Sequence, residues 1–145
     1  MHYCLEDICP EDVVRCFLTN IFAMFDLCQA AVPHKKPGSA IINTTPVNAK
    51  TPQAGMLVYA TTKGAIATFT VGLAKLRAAQ GIRVNWVAPG PVWTPLQPST
   101  KTPDELAKRG GDTPLGRPGH PPLASDEGQY MTGALLPVTG GMPTL

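Results

Sequence analysis

Residues 58–87 read VYATTKGAIATFTVGLAKLRAAQGIRVNWV, and this stretch decides the fold. Ile66, Phe69, Leu73 and Leu76 recur at three- and four-residue steps, and Ala67, Val71, Ala74 and Ala78 mark a second apolar line. Residues 58–80 are therefore predicted to form a helix covered on two sides, by a sheet and by another subunit. Gly81 is the expected stop at its C-terminus. Residues 82–87 (IRVNWV) then read as a strand, ended by Ala88-Pro89-Gly90-Pro91.

Outward from this unit the same alternation continues. Upstream, residues 39–44 (SAIINT) are short, β-branched and uncharged, the pattern of a buried strand, and residues 46–55 read as loop. Further upstream, Pro10-Glu11-Asp12 has the form of a helix start, with proline first and acid in the first turn. Val13, Val14, Phe17, Ile21, Met24, Phe25, Cys28 and Ala31 give that helix one wide apolar stripe, and Pro33 stops it. Downstream, Thr102-Pro103-Asp104-Glu105 has the form of a capping box for a short helix ending at Gly110-Gly111. Residues 114–122 are too rich in proline for a helix, and residues 134–138 read as a third strand, placed at a sheet edge by Pro137. Strands separated by helices predict an α/β fold with a parallel sheet of about three strands and flanking helices.

Composition narrows the function classes. The chain has 145 residues, the length of one domain, with 43% hydrophobic and 15% charged residues, which argues against a disordered chain. The formal net charge is +2 and no basic run exceeds Lys35-Lys36, so no clustered face for nucleic acid is expected. The longest uncharged stretch, residues 128–145, is broken by Gly133, Pro137, Gly140, Gly141 and Pro143, so no membrane span is expected. Glu6 and Asp7 interrupt the N-terminus, against a secretory signal. The cysteines, Cys4, Cys9, Cys16 and Cys28, form no C-x-x-C pair and have no histidine at finger-like spacing. Free thiols, no metal site and a cytoplasmic location are the expectation.

One pair carries chemistry. Tyr59 and Lys63 stand at i and i+4, on one face of the predicted helix. A free phenol titrates near 10 and is a poor acid–base catalyst at neutral pH. A neighbouring ammonium favours the phenolate, and a shift of about three units demands roughly 4 kcal/mol of differential interaction. The competing reading is a surface pair that happens to fall at this spacing.

Context decides between them. Taken in order, IINTTPVNA, VYATTKGAIATFT, GIRVNWVAPGPVWT, GRPG, LASDE, YMTG and VTGG resemble the short-chain dehydrogenase/reductase family over nearly the whole chain. The resemblance implies the C-terminal part of a Rossmann-like, doubly wound parallel sheet, its strands matching the fifth, sixth and seventh of the family. It implies an oxidoreductase that moves a hydride between NAD or NADP and a small carbonyl or alcohol substrate. Tyr59 matches the general acid/base, and Lys63 the lysine that lowers its pKa and holds the cofactor ribose. Asn20 matches the helix asparagine that supports a water in the proton relay, and an asparagine mid-helix is already out of place. Pro89, Gly90, Val92 and Thr94 match the segment that lies against the nicotinamide. The family's subunit interface would fall on helices 10–32 and 58–80, implying a homo-oligomer.

Three departures from the family pattern stand out. The family's serine precedes the tyrosine by thirteen residues, where this chain has Pro46, which has no hydroxyl. Thr45 is the adjacent hydroxyl and a substitute only if the loop rotates, and loss of such a donor typically costs on the order of 10²–10³ in rate. No G-x-G-x-x-G follows a strand, so the family's adenine-binding half is expected to be missing before Met1. A helix the family places between GRPGHP and LASDE is reduced to Pro122. The expectation is one partial domain over residues 1–145, with an open edge on its first strand and impaired turnover. The alternative is a non-catalytic product that associates through its two long helices.

Overall fold

The computed structural model describes residues 5–45, 54–90, 102, 104, 108, 111, 113–116 and 131–139. The helix expected from Pro10 consists of α1 (Pro10–Phe17), a π-helical turn (Leu18–Phe22) and α2 (Ala23–Ala31). Pro10 occupies the first turn, where a missing N–H breaks no bond, and Glu11 and Asp12 sit at the positive end of the helix dipole. A 3-10 turn over Val32–His34 carries Pro33 and closes the element. β1 (Ala40–Thr44) follows, then α3 (Leu57–Arg77), β2 (Arg83–Pro89) and β3 (Leu135–Val138). Gly81 stands at φ 66°, the left-handed stop expected of it, and an added Cβ would approach the Pro37 Cβ to 3.3 Å.

The three strands are parallel in the order β1-β2-β3, as the α/β reading requires. Ala40 pairs with Arg83 and Thr44 with Val87; Trp86 pairs with Leu135 and Pro89 with Val138. β2 runs two residues past the expected Val87, because Ala88 and Pro89 pair with Pro137 and Val138. β3 is an edge strand, where its proline is tolerated. A side chain helps set its register: Asn85 donates through Nδ2 to the Met131 carbonyl at 2.7 Å and accepts the Ala134 N–H through Oδ1 at 3.1 Å.

The core lies between α2, α3 and one sheet face. Val84 is fully buried and packs with Cys28, Leu73 and Ala74, with Met24, Ile41 and Phe69 around them. The Phe25 and Phe69 rings meet edge-on at 4.5 Å, tying α2 to α3. Sequence reading made β1 a fully buried strand, but its exposure alternates and Ile42 and Thr44 are open. Among the described residues, only one face of β1 is covered. The buried line of α3 also differs from the expected stripes. It runs through Thr62 and Thr70, both fully buried, as well as Ile66 and Leu73, while Leu76 is exposed.

By length and apolar composition alone, Pro10–His34 and Leu57–Gln80 are each sufficient to cross a bilayer, which the sequence reading did not credit. α3 lies against the sheet with Ile66, Leu73 and Ala74 buried, while Leu57 and Leu76 are exposed. The segments 46–53 and 91–101 lie outside the described residues, and with them Pro46, Val92 and Thr94. Of the helix expected from Thr102, Asp104 is helical and its carbonyl accepts the Lys108 N–H at 3.3 Å.

Candidate active site

Tyr59 lies in the first turn of α3, and the rise of the helix brings Lys63 back beneath it. The Lys63 Nζ stands 5.4 Å from the centroid of the Tyr59 ring and donates to the Thr44 carbonyl at 3.5 Å. Lys63 therefore sits between the phenol and the carboxyl end of β1. Thr45, the next residue, is 2% exposed and donates through Oγ1 to the Lys63 carbonyl at 3.0 Å, while its N–H reaches the Val87 carbonyl. A hydroxyl has one proton to donate, and here it holds the helix backbone rather than facing a substrate. In this geometry Thr45 anchors α3 to the end of β1.

Asn20 occupies the centre of the π-helical turn. The turn is marked by the Ala23 N–H bonding to the Leu18 carbonyl, five residues back instead of four. Such turns occur frequently at functional sites, and this one carries Asn20 to α3. Its Nδ2 donates to Thr62 Oγ1 at 3.0 Å and lies 3.6 Å from Cys16 Sγ. Thr62 in turn donates to the Tyr59 carbonyl at 2.7 Å. Thus Asn20 on the first helix is linked through Thr62 to the turn of α3 that carries Tyr59 and Lys63.

A cleft of about 580 Å³ opens beside Tyr59 and Asn20, and Lys63 is not among its walls. Tyr59, Asn20, Cys16, Cys9, Ile8 and Met56 are among its walls, and the Asp12–Arg15 ion pair stands at its side. Burial pushes the Tyr59 phenol above its ordinary value, and charge repulsion from Cys16 pushes it further. Burial pulls Lys63 below its ordinary value, which Cys16 partly opposes. The downward shift of the phenol expected from Lys63 is not what this arrangement gives. The ammonium lies over the ring face, and the loss of hydration dominates. Sequence reasoning missed Cys16 and Thr62. Thr62 was visible only as a β-branched residue one turn after Tyr59, and Cys16 as a polar position one turn before Asn20.

At the next strand, Pro89 and Gly90 stand where β2 ends, beside the carboxyl end of β1. Gly90 donates to the Val138 carbonyl at 2.9 Å, and a Cβ there would come within 3.1 Å of the Thr139 Cα. Glycine suits this approach, since a Cβ would require the Thr139 backbone to give way by a few tenths of an ångström. The site thus lies at the carboxyl ends of parallel strands, where open α/β sheets hold nucleotides. The donor set fits the nicotinamide–ribose part of a dinucleotide, with a phenol and an ammonium for ribose hydroxyls. Among the described residues no glycine-rich turn between a strand and a helix fits the pyrophosphate. No group of three or more metal-ligating side chains occurs among the described residues either.

Comparison with known proteins places the chain in a lineage. Residues 2–143 match the family described as enoyl-(acyl carrier protein) reductase. The chain is 48% identical over 143 residues to the uncharacterised oxidoreductase YhdF of Bacillus subtilis, covering 93% of this chain and 50% of that protein. It is 46% identical over 145 residues to the glucose and ribitol dehydrogenase of Daucus carota, covering 94% of this chain and 51% of that one. The solved short-chain dehydrogenase of Burkholderia cenocepacia in complex with NADP superposes with a TM-score of 0.78 at 27% identity, over 97% of this chain and 60% of that one. The chain spans about half the length of the curated relatives it matches. The parallel sheet, the strand-end cluster and these matches agree: the chain belongs to the short-chain dehydrogenase/reductase family.

Proposed function

We propose that the chain is the proton-transfer half of an NAD(P)-dependent oxidoreductase acting on a small alcohol or carbonyl compound. The observation that carries this reading is the cluster of Tyr59, Lys63 and Asn20 at the carboxyl ends of β1 and β2. A nicotinamide cofactor supplies or accepts the hydride. Tyr59 exchanges the proton with the substrate oxygen through its hydroxyl. Lys63 would hold the cofactor ribose and its positive charge would favour the phenolate against the cost of burial, and Asn20 would support the proton path from the π-helical turn that Thr62 ties to Tyr59. By the family resemblance, Pro89 and Gly90 would border the nicotinamide at the end of β2; Val92 and Thr94, matched to the same segment, lie outside the described residues. Thr45 fixes the Lys63 turn, and the hydroxyl that polarises a carbonyl in the family is absent at Pro46, which lowers turnover.

The proposed substrates are polyols, sugars or aldehydes, in line with the name of the Daucus carota relative; the partners are such a small molecule and a second copy of the chain, in the cytosol, with neither nucleic acid nor membrane. Purified protein should be titrated with NADPH and NADH by fluorescence and assayed with glucose, ribitol and a short aldehyde series. Turnover that falls by about 10²-fold or more in Tyr59→Phe, with cofactor affinity kept, supports the reading. Turnover unchanged in Tyr59→Phe sinks it.

A second reading is favoured by surface composition. Val14, Leu18, Phe22 and Phe25 are each more than half exposed on the first helix, and Leu76 is 73% exposed on α3. Exposed apolar surface of this kind marks association sites. In this reading the chain is a non-catalytic association module working through residues 10–32 and 58–80. Micromolar binding of either cofactor by the chain alone would contradict it; a stable oligomer with no cofactor binding would favour it.

A further inference from the structure

We infer that Thr62 is a positioning residue that couples the Asn20 turn to the Tyr59 backbone, through one buried hydroxyl bonded to both. The inference rests on the reading of Tyr59 and Asn20 as members of one site. Thr62 Oγ1 donates to the Tyr59 carbonyl at 2.7 Å and accepts from Asn20 Nδ2 at 3.0 Å, and the residue is 0% exposed. These two bonds use the donor and an acceptor of one hydroxyl.

The bond to Tyr59 differs from those made by the other threonines of α3. Thr61, Thr68 and Thr70 each bond the carbonyl four residues back, at Leu57, Gly64 and Ile66. Thr62 alone of these four reaches three residues back, which turns its oxygen toward the π-helical turn. The consequence falls on Asn20. With Nδ2 bonded to Thr62, whose own proton goes to the Tyr59 carbonyl, the amide oxygen takes the other branch of the side chain. An asparagine free to flip would present donor and acceptor to the proton path equally. Thr62 thus decides which end of the amide the path meets, and holds the turn that carries Tyr59.

α3 supplies its own control. Thr70 is equally buried, bonds the Ile66 carbonyl at 2.8 Å and accepts from Asn43 Nδ2 at 2.8 Å, but it stands on the β1 side, three turns from Tyr59 by the spacing of the chain. A merely structural role predicts the same outcome for Thr62→Val and Thr70→Val.

The test follows the Tyr59 phenol by nuclear magnetic resonance of ring-labelled tyrosine through an alkaline titration, a reading that needs no turnover. The groups facing the phenol, Lys63 and Cys16, and the charged residues of the cleft, Asp7, Asp12 and Arg15, are kept in every variant. Thr62→Val should move the midpoint down by about half a pH unit or more, as the loosened turn lets water reach the phenol. Thr62→Ser should restore it, and Thr70→Val should leave it in place. Where turnover is present, Thr62→Val should lower kcat about tenfold with KM changed less than about twofold. If Thr62→Val does not fold, Asn20→Ala breaks the same link from a half-exposed position and should give the same shift. An unmoved midpoint in both, or equal midpoint shifts in Thr62→Val and Thr70→Val, overturns the inference. Absence of turnover in every variant would count against the proposed function while leaving the titration to decide this point.

Discussion

Tyr59 and Lys63 perturb one another less than they are perturbed by burial. The phenol is raised and the ammonium lowered, so each is held toward its uncharged form. Cys16→Ala removes the charge repulsion that opposes phenolate formation, so the Tyr59 midpoint should fall while staying above its ordinary value near 10, because burial is the larger cause. An alkaline titration of labelled tyrosine reads this directly. For Lys63 the sign is as follows. Below its lowered folded value, both folded and unfolded states carry the charge, and the folded state bears the full desolvation cost. That cost fades as pH rises through the folded value toward 10.5, the value of the free side chain. Lys63→Met should therefore raise the melting temperature by a few degrees at neutral pH, with the gain shrinking as pH rises toward 10.5. Thermal unfolding at two pH values checks it, and a lower melting temperature for Lys63→Met at neutral pH contradicts it. The spacing of Tyr59 and Lys63 was legible in the sequence, since any helix aligns i with i+4. The direction of the phenol shift was not, because it depends on how much water the fold removes.

At the level of elements, the helix through residues 10–31 shows what periodicity conveys and what it hides. Its start at Pro10 and stop at Pro33 follow from local chemistry, and both stand where expected. The π-helical turn at Leu18–Phe22 leaves the apolar spacing nearly intact, so only the misplaced amide of Asn20 hinted at it. β1 read as buried because its residues are apolar, but pattern alone does not say how many faces are covered. At the end of β2, Gly90→Ala should cost on the order of 1–3 kcal/mol, since the new Cβ meets backbone at Thr139 rather than a side chain able to move. Urea unfolding measures this; a change under about 0.5 kcal/mol would show that the two strand ends separate easily. In the core, Val84→Ala should cost roughly 2–3 kcal/mol, because the side chain is fully enclosed between α3 and α2.

For the molecule as a whole, β1 has no strand on its outer flank among the described residues, and the chain spans about half of its curated relatives. Supplying a relative's first half in trans should raise the melting temperature, and more so at higher concentration of the added half, as mass action requires. A melting temperature indifferent to the added half would mean that this flank recruits no strand. The overall α/β class was legible because helix and strand alternate along the chain, whereas the covering of faces was not, since it is a property of elements brought together. The parallel pairing carries one more consequence, and it concerns time. Ala40 meets Arg83 and Trp86 meets Leu135, with no hairpin to bring either pair together early. Each ladder must await closure of a long stretch of chain, whose entropy is lost before any pairing offsets it. β2, the partner in both ladders, is the place where these two searches meet, so the refolding rate of this sheet is governed by the slower of two encounters on a single strand.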